Sequence, residues 1–445
     1  MKLNFALLTA AIAAAAAPLA SAQTEIKLVA SNGDRTATQT AVSKLLAPGW
    51  KFNGVGGAAT SANLSVATNA NFGAWNGTYT GSAVVIKVSF SGALAGIAAI
   101  AGNTDQRFVA TNGSDTAAVP NPLTTSNFVT GKADFGFSTN FQATSPFNGP
   151  FQGLTYAPVE EVLVGISPLG FYASPGFPAA SANITTQLAQ LLYTSGSVRL
   201  AQFTGNFAAD KERIVYAIGR NTDAGQRFGA YTEIGLGTTS TVRTWFPAIT
   251  GRSASPVNNY PYGGTVTGHE LWPIAQQPGT FAVPLGSGGY SSGALLADKL
   301  TVVLGPDAFK SKFFDPETNA DAFLYPNATA GYYIGYVTPG DANNRVLGND
   351  GDIPPASRGV SLKYNGVELT TANVKNGSYT AWLYNRLLKP ADGRLTGLKL
   401  TFADALGAQV RNVDAPAGGG ILIDNTVKVE RATDGGFVVP RNPIP

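Results

Sequence analysis

The run Gly219-Arg220-Asn221-Thr222-Asp223-Ala224-Gly225-Gln226-Arg227-Phe228 combines residue types that can hold a small anion. A β-like stretch, Ile214 to Ile218, precedes it, and a helical pattern from Ala224 to about Ile234 follows. Strand, polar turn and helix in that order aim the first backbone N–H groups of the helix at one point, where the helix dipole favours negative charge. Asp223 is a good N-cap type, and Gly225 lets a ligand approach the backbone closely. Arg220 adds a planar cationic fork suited to oxyanions. The same residues also fit an ordinary capped helix with two surface arginines, so the choice rests on the rest of the chain.

The elements that would position such a turn recur. Residues 25–30 alternate as a strand, Ser31-Asn32-Gly33-Asp34 form a capped turn, and Thr36 to Leu46 carry a helical pattern. Val84 to Phe90 read as a strand, Ser91-Gly92 turn, and Ala93 to Ala101 form a short helix. Residues 131–139 are a turn, a short strand and a polar end at Ser138-Thr139. Glu160 to Ile166 and Tyr332 to Val337 read as buried strands that cross between domains, with a helix at Thr185 to Leu192. Ala294 to Lys299 read as a helix and 300–305 as a strand. SLKYNGVELT has the hairpin signal Asn365-Gly366, and LYNRLL at 383–388 is helix-like. Residues 50–80 are rich in Asn, Gly, Thr and Ala and read as a long polar insertion. Alternating strands and helices argue an α/β fold. In open α/β sheets ligands sit at the carboxyl ends of strands. Ser31-Asn32, Ser91-Gly92 and Asp223 to Gly225 would converge there.

Composition excludes other chemistry. The chain opens Met-Lys, runs apolar from Phe5 to Leu19 and reaches Ala-Ser-Ala, which predicts a Sec-type signal peptide over 1–22 cut after Ala22. The mature protein is then periplasmic or extracellular. Charged residues are 13%, about half the usual share. The formal charge of +3 becomes +2 without Lys2, too little to collect polyanions such as nucleic acid. No cysteine is present, which removes disulfides, thiol nucleophiles and thiolate metal sites. The single histidine, His269, reads as a loop or interface residue, so no tight transition-metal site and no cofactor are expected. An enzyme would have to use carboxylates such as Asp134, Glu160 and Glu161, which read equally as a loop cap and two strand-edge charges.

At this point the chain resembles the phosphate-binding substrate-binding proteins of ABC importers, a family with the type II periplasmic binding-protein fold. The resemblance runs in order through SNGDR, VSFSGALAGI, KADFGFST, EEVLVGISPLG, LAQFTGN with GRNTDAGQR, GGYSSGALLADKL, YYIGYVTPGDA and NGVELTTANVKNGSYTAWLY. It implies an α/β protein of two lobes joined by two crossover hinge strands, with 23–163 and 334–445 in lobe one and 164–333 in lobe two. Ligand would sit between the lobes. Arg220 takes the place of the clamping arginine and Gly225 that of the glycine in S-G-T. Ser91 lies near the serine cluster that donates to the anion, and Ser138 belongs to the D-F-G-x-S segment.

The chain departs from the pattern where the ligand binds. Ala224 and Gln226 replace the hydroxyls of S-G-T, and Thr139 stands where the family has an aspartate that accepts a phosphate proton. Loss of paired polar groups changes selectivity, and Arg227 is an additional cation one turn into the helix. The expectation is a non-catalytic, exported protein that binds phosphate or another small oxyanion, with an ABC permease as partner. The alternative is a surface or structural protein built on the same scaffold.

Overall fold

The computed structural model describes residues 23–442 apart from 61–62, 121–124, 238–239, 258 and 273–285. The leader expected at 1–22 lies outside these residues.

Two sheets organise the chain. The strands that build them are β1 (Thr24–Val29), β2 (Lys51–Gly54), β3 (Gly57–Thr60), β4 (Phe72–Tyr79), β5 (Ser82–Ser89), β6 (Phe135–Ser138) and β7 (Val159–Pro168), followed by β8 (Gly170–Ala173), β9 (Asn183–Ile184), β10 (Ser197–Arg199), β11 (Arg213–Ala217), β12 (Ala330–Val337), β13 (Val360–Tyr364) and β14 (Trp382–Pro390). The first sheet has eight strands in the order β7-β14-β6-β1-β5-β4-β2-β3, and the second has six in the order β9-β13-β8-β12-β11-β10. β1 runs parallel to β5 and β6, whereas β14 is antiparallel to both β6 and β7. The main helices are α1 (Arg35–Leu45), α2 (Ala93–Ala101), α3 (Thr186–Ser195), α4 (Gly225–Glu233), α5 (Gly293–Lys299), α6 (Pro339–Arg345) and α7 (Gly397–Gln409). The protein is therefore α/β with two lobes, one around each sheet. The core of lobe one includes Ile26, Leu28, Phe135 and Phe402, and that of lobe two includes Ile218, Leu296 and Tyr333.

The chain passes from the first sheet to the second at Leu169, between β7 and β8. It returns between β13 and β14. Tyr332 to Val337, expected to make the return, instead lies inside the second sheet between β8 and β11. A strand buried on both faces has the same apolar run as a crossover strand, so composition does not separate the two.

Other differences have similar causes. The segment 50–80 is not an insertion but forms β2, β3 and β4 of the first sheet. Its glycines serve packing: a side chain at Gly73 would overlap the Phe52 ring, which also meets Trp75 edge-on at 5.0 Å. LYNRLL is strand rather than helix, and all six of its residues are buried, so no polar face marks its period of two. The Asn365-Gly366 turn forms, but the chain beyond makes only one bridge, Tyr364 to Val367. The expected strand at 300–305 reduces to Val303–Leu304.

His269 is not a loop residue. It sits in a strand, Thr265–Leu271, with Nδ1 2.8 Å from the Tyr333 hydroxyl and Nε2 3.3 Å from Ser311 Oγ. Burial pushes its pKa down from 6.5 to about 3. The unfolded chain therefore binds a proton that the folded chain refuses between about pH 3 and 6.5. Stability from the neutral ring is complete above that window and is lost as pH falls through it. Because the chain has one histidine, proton NMR should show a single imidazole that does not titrate between pH 8 and about 4.5; a midpoint near the ordinary histidine value would contradict the burial.

Candidate functional site between the lobes

Three helix N-termini meet where the lobes face each other. In lobe one the Ser31–Gly33 turn precedes α1, and the Ser31 hydroxyl accepts the Gly33 N–H at 3.1 Å. α2 begins after Gly92, whose φ of 134° is open to glycine. In lobe two α4 begins at Gly225 after β11. The first-turn N–H groups of α2 and α4 have no intrahelical carbonyl to bond, whereas ahead of α1 the Gly33, Asp34 and Arg35 N–H groups are taken by Ser31 and Asn32.

Thr139 is the meeting point. It follows β6, and its methyl would be 3.5 Å from a Cβ at Gly33, while its hydroxyl would overlap a Cβ at Gly225. The same Cβ at Gly225 would stand 2.5 Å from Asn140 Oδ1 and 2.6 Å from the Ala93 methyl. A Cβ at Gly92 would lie 2.7 Å from the Asp223 carbonyl oxygen. Only hydrogen-sized α-substituents thus let α2 and α4 approach nose to nose. Ser138 accepts the Asn140 N–H at 3.1 Å, which shapes the turn under Thr139. Further along α4, Phe228 packs with Leu94, Ile97 and Leu388 of lobe one. The seam is closed in this state.

Arg220 stands behind the N-terminus of α4 and is 3% exposed. Its Nε donates to the Tyr290 carbonyl at 2.9 Å, Nη2 to the Ser291 carbonyl at 3.2 Å, and Nη1 to Gln226 Oε1. One N–H on each terminal nitrogen remains beyond those bonds. Burial lowers its pKa to about 10, which still leaves it charged at neutral pH. The sequence placed Arg220 on an open turn; the loop Gly288 to Ser291 closes over it instead, bridging Arg220 to Tyr290. Gln226 is committed to this arginine. Arg227 turns into lobe two, where Nη1 donates to the Arg220 and Gly288 carbonyls at 3.0 and 3.3 Å and the guanidinium lies over Tyr231. Asp223 is not at the N-cap position of α4, which Ala224 occupies.

Several residues that the sequence did not single out belong to the same seam. Arg35, the first residue of α1, donates to the Thr68 carbonyl at 3.1 Å and Asn71 Oδ1 at 2.5 Å, and burial lowers its pKa. It lies within Coulomb reach of Arg220, and both feel Asp341 on α6 of lobe two. The Thr222 hydroxyl and Asn221 Oδ1 in the focal turn are buried without hydrogen-bond partners. Asp34, at the start of α1, has both carboxylate oxygens buried without partners; burial pushes its pKa to about 8, against the pull of Arg386. Arg35 and Asp34 were present in the SNGDR turn, and Asp34 occupies the N-cap position of α1 without a side-chain cap bond.

Each carboxylate considered for an enzyme has an ion-pair partner. Asp134 pairs with Lys399 at 2.8 Å, Glu160 with Lys389 at 2.8 Å and Glu161 with Arg386 at 3.0 Å. Among the described residues no group of three or more His, Cys, Asp or Glu is placed to hold a metal ion, and no helix is long and apolar enough to cross a membrane.

No family model and no curated protein matches the chain. Solved structures do resemble it over most of its length. An ABC-type phosphate transport receptor from Vibrio cholerae is 10% identical, with a TM-score of 0.42 over 89% of this chain and 99% of that one. A protein from Clostridium perfringens, assigned as a phosphate ABC transporter substrate-binding protein and solved with bound phosphate, is 11% identical, with a TM-score of 0.40 over 90% and 100%. PstS from Borrelia burgdorferi is 10% identical, with a TM-score of 0.36 over 90% of this chain and 100% of that one.

Proposed function

We propose that this is an exported solute-binding protein that closes its two lobes around a small oxyanion, phosphate or a phosphorylated compound, and delivers it to an ABC permease. On this reading lobe one comprises 23–168 with 382–414, and lobe two 170–364. The observation that carries the proposal is the convergence of the α1, α2 and α4 N-termini on Thr139. Orphan N–H groups from both lobes then bond the ligand only when the lobes are closed, which couples binding to closure. Arg220 and Arg35 supply positive charge from opposite lobes, and the unpartnered Thr222 hydroxyl supplies a further donor. Thr139 in place of a carboxylate removes a source of repulsion toward fully ionised anions, so sulfate should compete with phosphate more strongly than at a site that reads a ligand proton. The roles of Ser31, Asn32, Ser91, Gly92, Ser138 and Ala224 are backbone or hydroxyl contacts around the same point.

The test is calorimetric titration of unfolded, dialysed and refolded protein with phosphate and then with sulfate. The expected result is saturable binding of both at one site. No heat with either anion, in protein that has regained its fold, would contradict the reading.

A further inference from the structure

The C-terminal segment after α7 crosses both lobes. Ile421 exchanges backbone hydrogen bonds with Ile166 of β7 at 2.8 and 2.9 Å, next to the first crossover. Further on, Arg431 forms an ion pair with Glu233 at the end of α4 at 2.9 Å, and the two side chains are only 1% and 9% exposed. Arg431 also donates to the Thr380 carbonyl at 2.6 Å and lies over the Trp382 ring at 4.2 Å. Thr380 in turn donates to the other Glu233 oxygen at 2.5 Å. Four residues after Arg431, Gly435, with a φ of 65°, runs so close to α4 that any side chain would overlap the Thr232 carbonyl. The segment then bonds back to lobe one. Asp434 accepts the Phe141 N–H at 2.9 Å and the Thr144 hydroxyl at 2.5 Å. It also accepts from Asn140, whose Nδ2 reaches the Gly225 carbonyl at 3.5 Å.

We propose that residues 421–442 are a strap that holds α4 against lobe one and must detach before the seam can open. The inference rests on contacts within the chain and stands whatever solute the seam takes. Arg431 holds Glu233 of lobe two beside Trp382 of lobe one, and Asp434, three positions away, grips lobe one at the turn that carries Thr139 and Asn140. Separation of the lobes therefore breaks at least one of these buried anchors. Ile421, Ile423 and Val427 seat the start of the strap in the hydrophobic cluster that holds Ile166, Tyr231 and Trp382, and the polar anchors at Arg431 and Asp434 fasten its later part. The strap makes access to the seam depend on the tail as well as on the crossovers.

Hydrogen exchange on the full mature protein tests this. The reporter is the Gly96 amide of α2, whose N–H bonds the Gly92 carbonyl at 3.1 Å where Gly92 faces the Asp223 carbonyl across the seam. Arg431→Ala should speed exchange there by about tenfold or more while β1, β5, β11 and β12 keep their protection. Arg431→Lys should restore part of it. Asp434→Asn, which keeps the volume and releases the lobe-one anchor, should act in the same direction and decides the matter if Arg431→Ala does not fold. Unchanged exchange at Gly96, or equal loss of protection in both sheets, would overturn the strap.

Discussion

Gly225→Leu is expected to hold the lobes apart and to weaken anion binding on the order of 100-fold, the effect of about 3 kcal/mol of overpacking. The argument is steric. A Cβ at this position already overlaps the Thr139 hydroxyl and presses on Asn140 and Ala93, and the longer side chain has no other direction between α2 and α4. Within either lobe the surroundings are intact, so the strain is relieved by separation rather than by unfolding. Small-angle scattering should show a larger radius of gyration with an unchanged far-UV spectrum. A variant that binds phosphate as tightly as the parent, with unchanged dimensions, would refute the closed seam as the binding state.

Arg220→Ala should have two effects of different origin. Charge-assisted bonds to a ligand are worth roughly 1.5–3 kcal/mol each, so affinity should fall on the order of 10- to 1,000-fold. The protein should also lose about 3 kcal/mol of stability, because the Tyr290 and Ser291 carbonyls and Gln226 lose their donor in a buried place. Arg220→Lys should keep the charge yet recover little stability, since one ammonium cannot span three acceptors fixed around a planar fork. Urea unfolding and titration at low denaturant separate the two. A variant that unfolds at the parent's midpoint would show that the loop Gly288 to Ser291 does not depend on this arginine.

The sequence made the local units legible and the long-range placements much less so. The turns before α1, α2 and α4 could be read because each joins a β-like run to a helical period across Ser, Asn, Asp or Gly. Their convergence on Thr139 follows from the sheet order, which no local pattern encodes. β14 and β12 were misplaced for one reason: both are buried on both faces, so no alternation marks their period or their sheet. The polar look of 50–80 came from glycines that seat Phe52. Arg220 was legible as a residue type but not as a buried one, because the loop that covers it comes some seventy positions later. No local pattern marks the strap anchors Arg431 and Asp434; their role comes from the distant partners Glu233 and Phe141.

The account turns on whether an oxyanion occupies the seam, and phosphorus NMR reads that without an assumption about affinity. Refolded, anion-stripped protein with an equal amount of phosphate should give a second resonance, shifted from free phosphate and in slow exchange, that integrates to one phosphate per chain. In the same sample of Gly225→Leu the bound line should shrink or broaden as the weaker complex exchanges faster. A single free line in the parent protein, or a bound line unchanged in the wedged variant, would contradict the seam as an anion site.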